Sequence, residues 1–224
     1  MKKILLATSL LSALAMAQVA PALAQTAADA PVGKTAGTFM VRGRVIGLIP
    51  ENSSSSVSGA INTGTVSTSN AVMPEVDVSY FFTDNIALEV IAATTKHDLY
   101  ADNAGPLGSH YRVGSTWVLP PTVTLQYHFM PHERFSPYVG AGLNVSFFYA
   151  TAPANNAVTQ LAMQTAVGPA VQAGFDYNFS GHWFGNFDVK QIFYTTTASI
   201  NNGVIHAKTA LNPTVIGAGI GYRF

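Results

Sequence analysis

The chain has no cysteine and few charged residues, and both shortages exclude classes of protein. Without cysteine, the 224 residues can form no disulfide framework, thiol nucleophile, cysteine metal site or lipoprotein anchor. Only 10% of the residues are charged, eleven of them basic and eleven acidic, and the mean hydropathy is +0.25. This balance offers no basic surface for nucleic acid, and so low a charge content is atypical of a soluble domain.

Long apolar runs are also absent after the N-terminus. Two lysines precede an apolar stretch over residues 4–17, and the small residues near 22–24 predict cleavage before Gln25. Residues 1–24 are therefore a predicted secretory signal peptide. No later run reaches the roughly 18–20 residues of a spanning helix. An exported apolar chain of this kind can satisfy its backbone in lipid as a closed β-barrel.

The mature sequence alternates between apolar and polar residues in eight segments separated by turn signals. The connections are alternately long and short, as in outer-membrane barrels, whose turns are short on the periplasmic side and long outside. We therefore predict a periplasmic N-terminal segment over 25–36, a barrel over 37–224, and external loops near 51–70, 99–114, 150–160 and 196–207. The predicted strands are Thr38–Pro50, Ala71–Phe82, Ile86–His97, Ser115–Met130, Pro137–Tyr149, Leu161–Phe179, Trp183–Thr195 and a last one that runs to Phe224.

The two faces of each strand decide between a membrane barrel and a soluble one, because a lipocalin-like barrel would alternate too. Large apolar residues such as Val78, Leu125 and Ile220 share one face, and the opposite face is small or polar. Eight strands enclose too narrow a lumen for the bulky face. The sequence therefore predicts an all-β, eight-stranded antiparallel transmembrane β-barrel with its apolar face toward lipid, in the outer membrane of a Gram-negative cell.

Aromatic residues cluster where two interfacial belts are expected. One set falls at the predicted periplasmic ends of the strands: Tyr80, Phe82, Tyr127, Phe129, Phe179, Trp183, Tyr222 and Phe224. A second set falls nearer the outer side: Trp117, Phe147, Tyr149 and Phe193. Scattered core aromatics would not separate in this way.

Several stretches resemble the OmpW family of outer-membrane proteins, which includes the alkane-uptake protein AlkL. They are DVSYFFTDNIALEVIAATTKHDL, VLPPTVTLQYHF, SPYVGAGLNVSFF, AVGPAVQAGFDYNFSGHWFGNFDVK and the closing GYRF. The resemblance covers nearly all of the mature chain, and the Ser/Thr/Asn/Gly run after strand one departs from it. It implies a monomeric OmpW-like barrel that admits small hydrophobic molecules. The terminal Phe224 is also of the kind that barrel-assembly machinery recognises.

Strand parity assigns the side chains of the lumen. Near the periplasmic half we expect a plug of charges: Arg42, Arg44, Glu75, Asp77, Glu89, Asp176, Asp188, Lys190 and Arg223. Nearer the outside we expect an apolar binding region: Ile46, Leu48, Met73, Val118, Phe148, Ile192 and Leu211. Charges in a narrow lumen must be paired, because isolated burial is costly. The hypothesis is that a hydrophobic solute enters from outside, stops above the plug and leaves sideways into the bilayer.

Prolines on the even-numbered strands mark a possible exit. Pro74, Pro120 and Pro121 are the lateral-gate candidates, since each removes a donor from a strand ladder. Prolines near the outer lipid boundary can also simply mark where the strand leaves the membrane. Both interpretations stay open at this stage.

Motifs for chemistry are scarce. The six histidines show no paired ligand spacing, so we expect no metal. We also expect no cofactor and no enzymatic activity. The expected partners are outer-membrane lipids and small hydrophobic molecules. An alternative function is a surface receptor or adhesion barrel that binds a bacteriocin, phage or host molecule without dedicated transport. A third is a lipid-modifying enzyme that uses His97 beside Asp98 for acid–base chemistry.

Overall fold

The computed structural model describes residues 33–52, 54–105, 108–154 and 158–224; the predicted signal peptide lies outside these ranges. No described residue belongs to a helix long and apolar enough to span a membrane. The described ranges contain these strands: β1 Phe39–Ile49, β2 Ser54–Gly59, β3 Thr65–Thr68, β4 Ala71–Phe81, β5 Ile86–Ala93, β6 Thr95–Asp102, β7 His110–Leu119, β8 Thr122–His128, β9 Phe135–Pro153, β10 Leu161–Met163, β11 Ala166–Ser180, β12 Trp183–Ile192, β13 Thr195–Ile200, β14 Ile205–Ala210 and β15 Thr214–Arg223.

Eight of these strands close into an antiparallel barrel. Their order is β11-β12-β15-β1-β4-β5-β8-β9, and a further ladder between β9 and β11 completes the circle. The first and last strands pair directly, from Met40 opposite Arg223 to Ile49 opposite Thr214. The predicted eight-stranded antiparallel barrel is confirmed.

The side chains face as the alternation predicted. Leu125 is 54% exposed and Ile220 is 58% exposed on the outer surface, and Val78 on the same face is half-buried. Their strand neighbours Thr124 and Gln126 are buried inside. A barrel with its bulky apolar residues outside and polar residues inside is built for lipid.

The connections at one end of the barrel are short, and those at the other end are not the loops that the sequence predicted. Strands occupy much of 51–70, 99–114 and 196–207, and β9 extends into 150–160 as far as Pro153. Above the eight barrel strands the wall continues in a part that we call the extension. It consists of β2, β3, β6, β7, β10, β13, β14 and the upper part of β9. Its inward residues form a second apolar cluster, which includes Val66, Leu99 and Ala207. Every second residue of these segments is buried in that cluster, and this burial stabilises strands. The Ser, Thr and Asn content of the segments had predicted loops.

The end with the short turns carries the start of β1 and the end of β15, and it is the periplasmic end by the rule for such barrels. Aromatic belts mark the two lipid boundaries. At the periplasmic belt, the rings of Tyr80 and Phe82 lie 5.3 Å apart, and at the outer belt those of Trp117 and Tyr149 lie 6.3 Å apart. All four rings are exposed on the outer surface.

Candidate binding site in the barrel lumen

The lumen is layered, and β1 alone shows the order of the layers. Its inward side chains from the periplasmic end upward are Met40, Arg42, Arg44, Ile46 and Leu48, all buried. An apolar layer, two charged levels and a second apolar layer thus follow one another at every second residue. β12 repeats the order, from Phe184 through Asp188 and Lys190 to Ile192.

Glu89 lies at the centre of the charged layer. One of its carboxylate oxygens accepts hydrogen bonds from Arg42 at 2.6 Å and Arg44 at 3.2 Å. The other oxygen accepts from Thr124 at 3.0 Å and Gln172 at 2.9 Å. This buried carboxylate of β5 accepts from four donors on three other strands, β1, β8 and β11, and so binds the walls of the barrel together, because each remaining partner would be left unsatisfied without it.

The remaining acids bind on two walls of the lumen, and Arg42 connects the two sides through Asp176. Arg42 Nε lies 2.6 Å from Asp77 and Arg44 Nε lies 2.8 Å from Glu75, both on β4. On the opposite wall, Asn186 donates to Asp176 at 2.7 Å, and the Tyr138 hydroxyl donates to Asp188 at 2.9 Å. All nine residues that parity assigned to the plug are buried.

Two of those nine residues lie at the margin of the charged layer. Lys190 Nζ is 3.5 Å from Asp188 Oδ1. Arg223 is at the periplasmic end, where it donates to the carbonyl of Gly181 at 3.3 Å. The other seven form the continuous network.

A closing layer beneath the charges was not predicted. Met40, Phe81, Ala87 and Phe184 pack together at the periplasmic end of the lumen. Lys34, from the segment before β1, enters the lumen beside them, with its Nζ 5.8 Å from the centre of the Phe81 ring. The sequence placed this lysine in a periplasmic segment, because no strand alternation reaches residue 34 to indicate which way its side chain points.

Lys34 has three polar partners inside the barrel. Its Nζ lies 2.7 Å from Asp176, 2.9 Å from Ser136 and 2.8 Å from His128 Nδ1. Burial lowers the pKa of Lys34 below its ordinary value, and the nearby Asp176 carboxylate opposes this shift.

Above the charged layer is an apolar cavity that is partly open, and its space of about 470 Å³ between protein atoms includes open solvent. Five of the seven residues predicted for the apolar region line it, and the other two, Ile46 and Met73, pack in the apolar cluster of the same layer. The five are Leu48, Val118, Phe148, Ile192 and Leu211. We call this space the upper cavity.

The upper cavity also has lining residues that the prediction omitted, chiefly His97, Thr116, Tyr194 and Met163. His97 was assigned to the margin of a loop, whereas β6 places it inward. The signal for it was the same alternation, because His97 is the last residue of the predicted third strand and has the inward parity of Glu89.

A second apolar cavity lies within the extension, and its space of about 590 Å³ between protein atoms also includes open solvent. Val57, Val66, Val113 and Ile200 are among its lining residues. Leu99, which packs in the extension's apolar cluster, lines the upper cavity.

The barrel wall is interrupted on both sides of Thr94. Toward β4, the ladder stops at Glu75 opposite Ala93 and resumes only where Ser69 N donates to Asp98 O at 3.0 Å. Toward β8, it stops at Ile91 opposite Thr122 and resumes at Thr95 opposite Val118. Within ranges 54–105 and 108–154, Thr94 has no ladder partner on either neighbour.

The three gate candidates flank this weak point. Pro74 lies beside the first interruption and is exposed on the outer surface; Pro120 and Pro121 occupy the second. Pro120 also lines the upper cavity. On the outer surface, the Thr94 hydroxyl lies 2.6 Å from the Tyr149 hydroxyl, which is the one side-chain bond found for Thr94 within the described ranges.

A third interruption lies across the barrel. The β9–β11 ladder ends at Ser146 opposite Ala166, and β10 above it pairs with β13. The groove there is lined by Thr151, Thr159, Gln160 and other residues of the extension.

The geometry does not form the acid–base pair considered from the sequence. His97 points inward, whereas Asp98 points outward to Arg112, 2.6 Å away. Successive residues of a strand face opposite sides, so the two side chains cannot act on one substrate. No group of three or more His, Asp or Glu side chains placed to hold a metal occurs in the described part of the chain.

The model of the OmpW family matches residues 35–224. The chain belongs to the OmpW family. The sequence resemblance is thereby confirmed, together with the outer-membrane location that the family name and the barrel imply. The match begins next to Lys34 and covers every strand of the barrel and the extension.

Three relatives show how far the likeness extends. An uncharacterised outer-membrane protein, y4mB, of Sinorhizobium fredii is 42% identical over 202 residues, which cover 88% of this chain and 85% of the relative. AlkL of Ectopseudomonas oleovorans is 28% identical, with 74% of this chain and 72% of AlkL covered. The crystal structure of OprG from Pseudomonas aeruginosa has a TM-score of 0.80 at 27% identity, and covers 86% of this chain and 98% of OprG.

Proposed function

We propose that this OmpW-family barrel is a passive conduit for small hydrophobic compounds, which reach the upper cavity from outside and leave sideways into the bilayer. The observation that carries the proposal is the position of the upper cavity. It lies above a fully buried charge network and against the wall that is interrupted at Thr94.

The charged layer supports the sideways route. A hydrophobic solute that continued down the axis would have to separate Arg42 and Arg44 from Glu89 and their other partners. Separation of buried ion pairs leaves uncompensated charges and costs several kcal/mol. Below the charges, the closing layer and Lys34 fill the periplasmic end. The network, with Lys34, serves in this proposal as the plug.

The interrupted wall supplies the exit. Ladder hydrogen bonds hold neighbouring strands together, and Thr94 has them on neither side, so a small displacement there opens the cavity to lipid with few bonds to break. Pro74, Pro120 and Pro121 keep the gap open because a proline cannot donate to a ladder. The cavity in the extension provides the access route from outside.

A reversible cross-link across the gap tests the proposal. If the register of Glu75 with Ala93 is continued, Val72 comes opposite Lys96, and both residues are exposed outside. The chain has no native cysteine, so the double variant Val72→Cys/Lys96→Cys forms a single defined disulfide. We expect uptake of radiolabelled n-octane to fall to the level of cells without the barrel when the variant is oxidised, and to recover on reduction.

The matched control is Val45→Cys/Ala218→Cys, an outward pair on the intact ladder between β1 and β15. Its oxidation should leave uptake unchanged. Unaltered uptake by the oxidised Val72→Cys/Lys96→Cys barrel would contradict an exit at Thr94 and direct attention to the interruption between β9 and β10. Replacement of Pro74 or of Pro120 and Pro121 by valine should slow uptake for the same reason as the cross-link.

Surface recognition is the second candidate function, and the regular strand structure of the extension favours it. Its outer face carries a defined polar group in which Asp102 bonds both Ser67 and His110, and Asp98 bonds Arg112. The variant Arg112→Ser changes this face and leaves both cavities intact. Loss of a bacteriocin or phage partner with unchanged octane uptake would assign recognition to this face.

The remaining expectations are part of the same proposal. A single chain encloses the lumen, so a monomer is sufficient for the conduit. Phe224 is 67% exposed at the end of β15, where an assembly factor could contact it during folding. Cross-linking in native membranes tests the monomer, and deletion of Phe224 with measurement of the assembly rate tests its role.

A further inference from the structure

The hydroxyl groups that line the upper cavity share one property: the hydroxyl hydrogens already take part in hydrogen bonds within the protein. Thr68 donates to Asn52 at 3.2 Å, and Thr116 donates to the carbonyl of Trp117 at 3.2 Å. Ser146 donates to Asn144 at 2.8 Å, and the Tyr194 hydroxyl is hydrogen-bonded to Ser146. What these hydroxyls still offer to a molecule in the cavity is the capacity to accept a hydrogen bond.

His97 adds a stronger acceptor. Its side chain is buried, and its Nδ1 lies 2.8 Å from the backbone carbonyl of Ser69. A carbonyl can only accept, so Nδ1 carries the hydrogen and the neutral ring has its lone pair on Nε2. No partner for Nε2 is found among the residues that the structure describes, and the carboxylate next in sequence, Asp98, is outside with Arg112.

The rest of the lining is apolar. Leu48, Phe148, Ile192 and Leu211 surround the space that the imidazole borders. A plain hydrocarbon in this cavity would leave Nε2 without a partner, whereas a hydroxyl group would donate to it. A site built to hydrogen-bond a substrate hydroxyl discriminates against molecules that lack one, because its own polar group is then buried unpaired.

We propose that the upper cavity selects small amphiphiles with an apolar body and one hydroxyl donor, such as alcohols and phenols, and that His97 Nε2 is the acceptor. This inference rests on the proposed conduit function and names its substrate class. His97 is a specificity residue in this scheme and takes part in no reaction.

The test uses two isomers of the same atomic composition, 1-octanol and heptyl methyl ether, of which only the alcohol can donate. Binding to the full-length barrel in lipid nanodiscs is measured for the wild type and for His97→Leu, so that partition of each probe into the lipid cancels in the ratio. We expect the substitution to weaken octanol binding roughly three- to tenfold, the worth of one hydrogen bond, and to leave ether binding within about twofold. The control His206→Leu, on the exposed surface of the extension, should change neither.

A merely structural role of His97 would shift both probes equally, and that result would overturn the inference. The ¹⁵N resonance of His97 Nε2 in the wild type supplies a second readout that needs no variant. It should move on addition of octanol and stay fixed with the ether; an unmoved resonance at saturating octanol would also overturn the inference. If neither probe enters the wild-type cavity, the conduit proposal fails; if both bind alike in all variants, only the selectivity fails.

Discussion

At the scale of single residues, Lys34 changes the account of the charged layer most. The acids predicted for the lumen are Glu75, Asp77, Glu89, Asp176 and Asp188, five in all, and the predicted bases are the four residues Arg42, Arg44, Lys190 and Arg223. Lys34 is the fifth base. It comes from the segment before the first strand and lies 2.7 Å from Asp176.

The variant Lys34→Met should loosen the periplasmic end and leave the rest of the barrel intact. Asp176 would keep Asn186 and the more distant Arg42, so we expect a loss of about 1–3 kcal/mol in the free energy of unfolding. Hydrogen exchange should accelerate at the amide of Gly37, which donates to Phe81 O at 2.8 Å.

The control for this prediction is Lys96→Met, because Lys96 is exposed and far from the lumen charges. It should alter neither stability nor exchange. Unchanged exchange at Gly37 in Lys34→Met would show that the segment is held by its backbone contacts alone.

Parity along the strands was sufficient to predict which side chains are buried in the lumen, from Arg42 to Lys190. It could not predict the hydrogen bonds, because contacts such as those of Glu89 with Gln172 depend on the order of strands around the circle. It could not predict Lys34 either, since that residue lies outside any strand.

At the scale of the strand, β15 shows how a small face makes room for large charges. Its inward residues include Gly217 and Gly221. A Cβ at Gly217 would lie 2.8 Å from Ile46 Cγ2, and one at Gly221 would lie 2.7 Å from Arg42 Cγ and 2.3 Å from Phe184 Cζ. The arginine side chains of β1 can therefore lie across β15, because the glycines of β15 have no side chains there.

The variant Gly221→Ala should destabilise the barrel by about 1–3 kcal/mol, the usual effect of overpacking a filled interior. Arg42 cannot move aside easily, because Asp77 and Glu89 each hold it at 2.6 Å. Urea unfolding from lipid vesicles, followed by the fluorescence of Trp117 and Trp183, measures the change.

Gly43→Ala is the matched control, since a Cβ at Gly43 meets nothing within 4 Å. We expect it to be neutral or slightly stabilising. Equal destabilisation by both alanines would mean that the clash at Gly221 does not decide the packing.

The sequence predicted the membrane strands well, and Phe39–Ile49 differs from the predicted Thr38–Pro50 by one residue at each end. Four predicted strands are wrong in being continuous. Strand three is β5 and β6, divided at Thr94, and strand four is β7 and β8, divided at Pro120–Pro121. Strand six is β10 and β11, and strand seven is β12 and the start of β13. A run of alternating residues gives no sign of a missing ladder, because a ladder depends on two strands at once.

At the scale of the whole molecule, one alternation produces two surfaces with different tasks. The outward face of the membrane strands is mainly apolar and fits lipid. The inward face changes with height, from the closing layer through the charges to the upper cavity and the cavity of the extension. A closed lower lumen beneath an apolar chamber, next to a weak wall, is the arrangement on which the proposed sideways release depends.

The most direct test of that claim is to find where a cargo molecule contacts the lumen. A diazirine-bearing octyl probe is photolysed with the barrel in native membranes, and the labelled inward residues are mapped by mass spectrometry. The upper cavity and the closing layer are both apolar, so chemistry alone would not favour one of them. The account predicts adducts at Leu48, Phe148 and Leu211 and none at Met40, Phe81 or Phe184. Adducts in the closing layer would show that cargo passes the charges along the axis, and would contradict it.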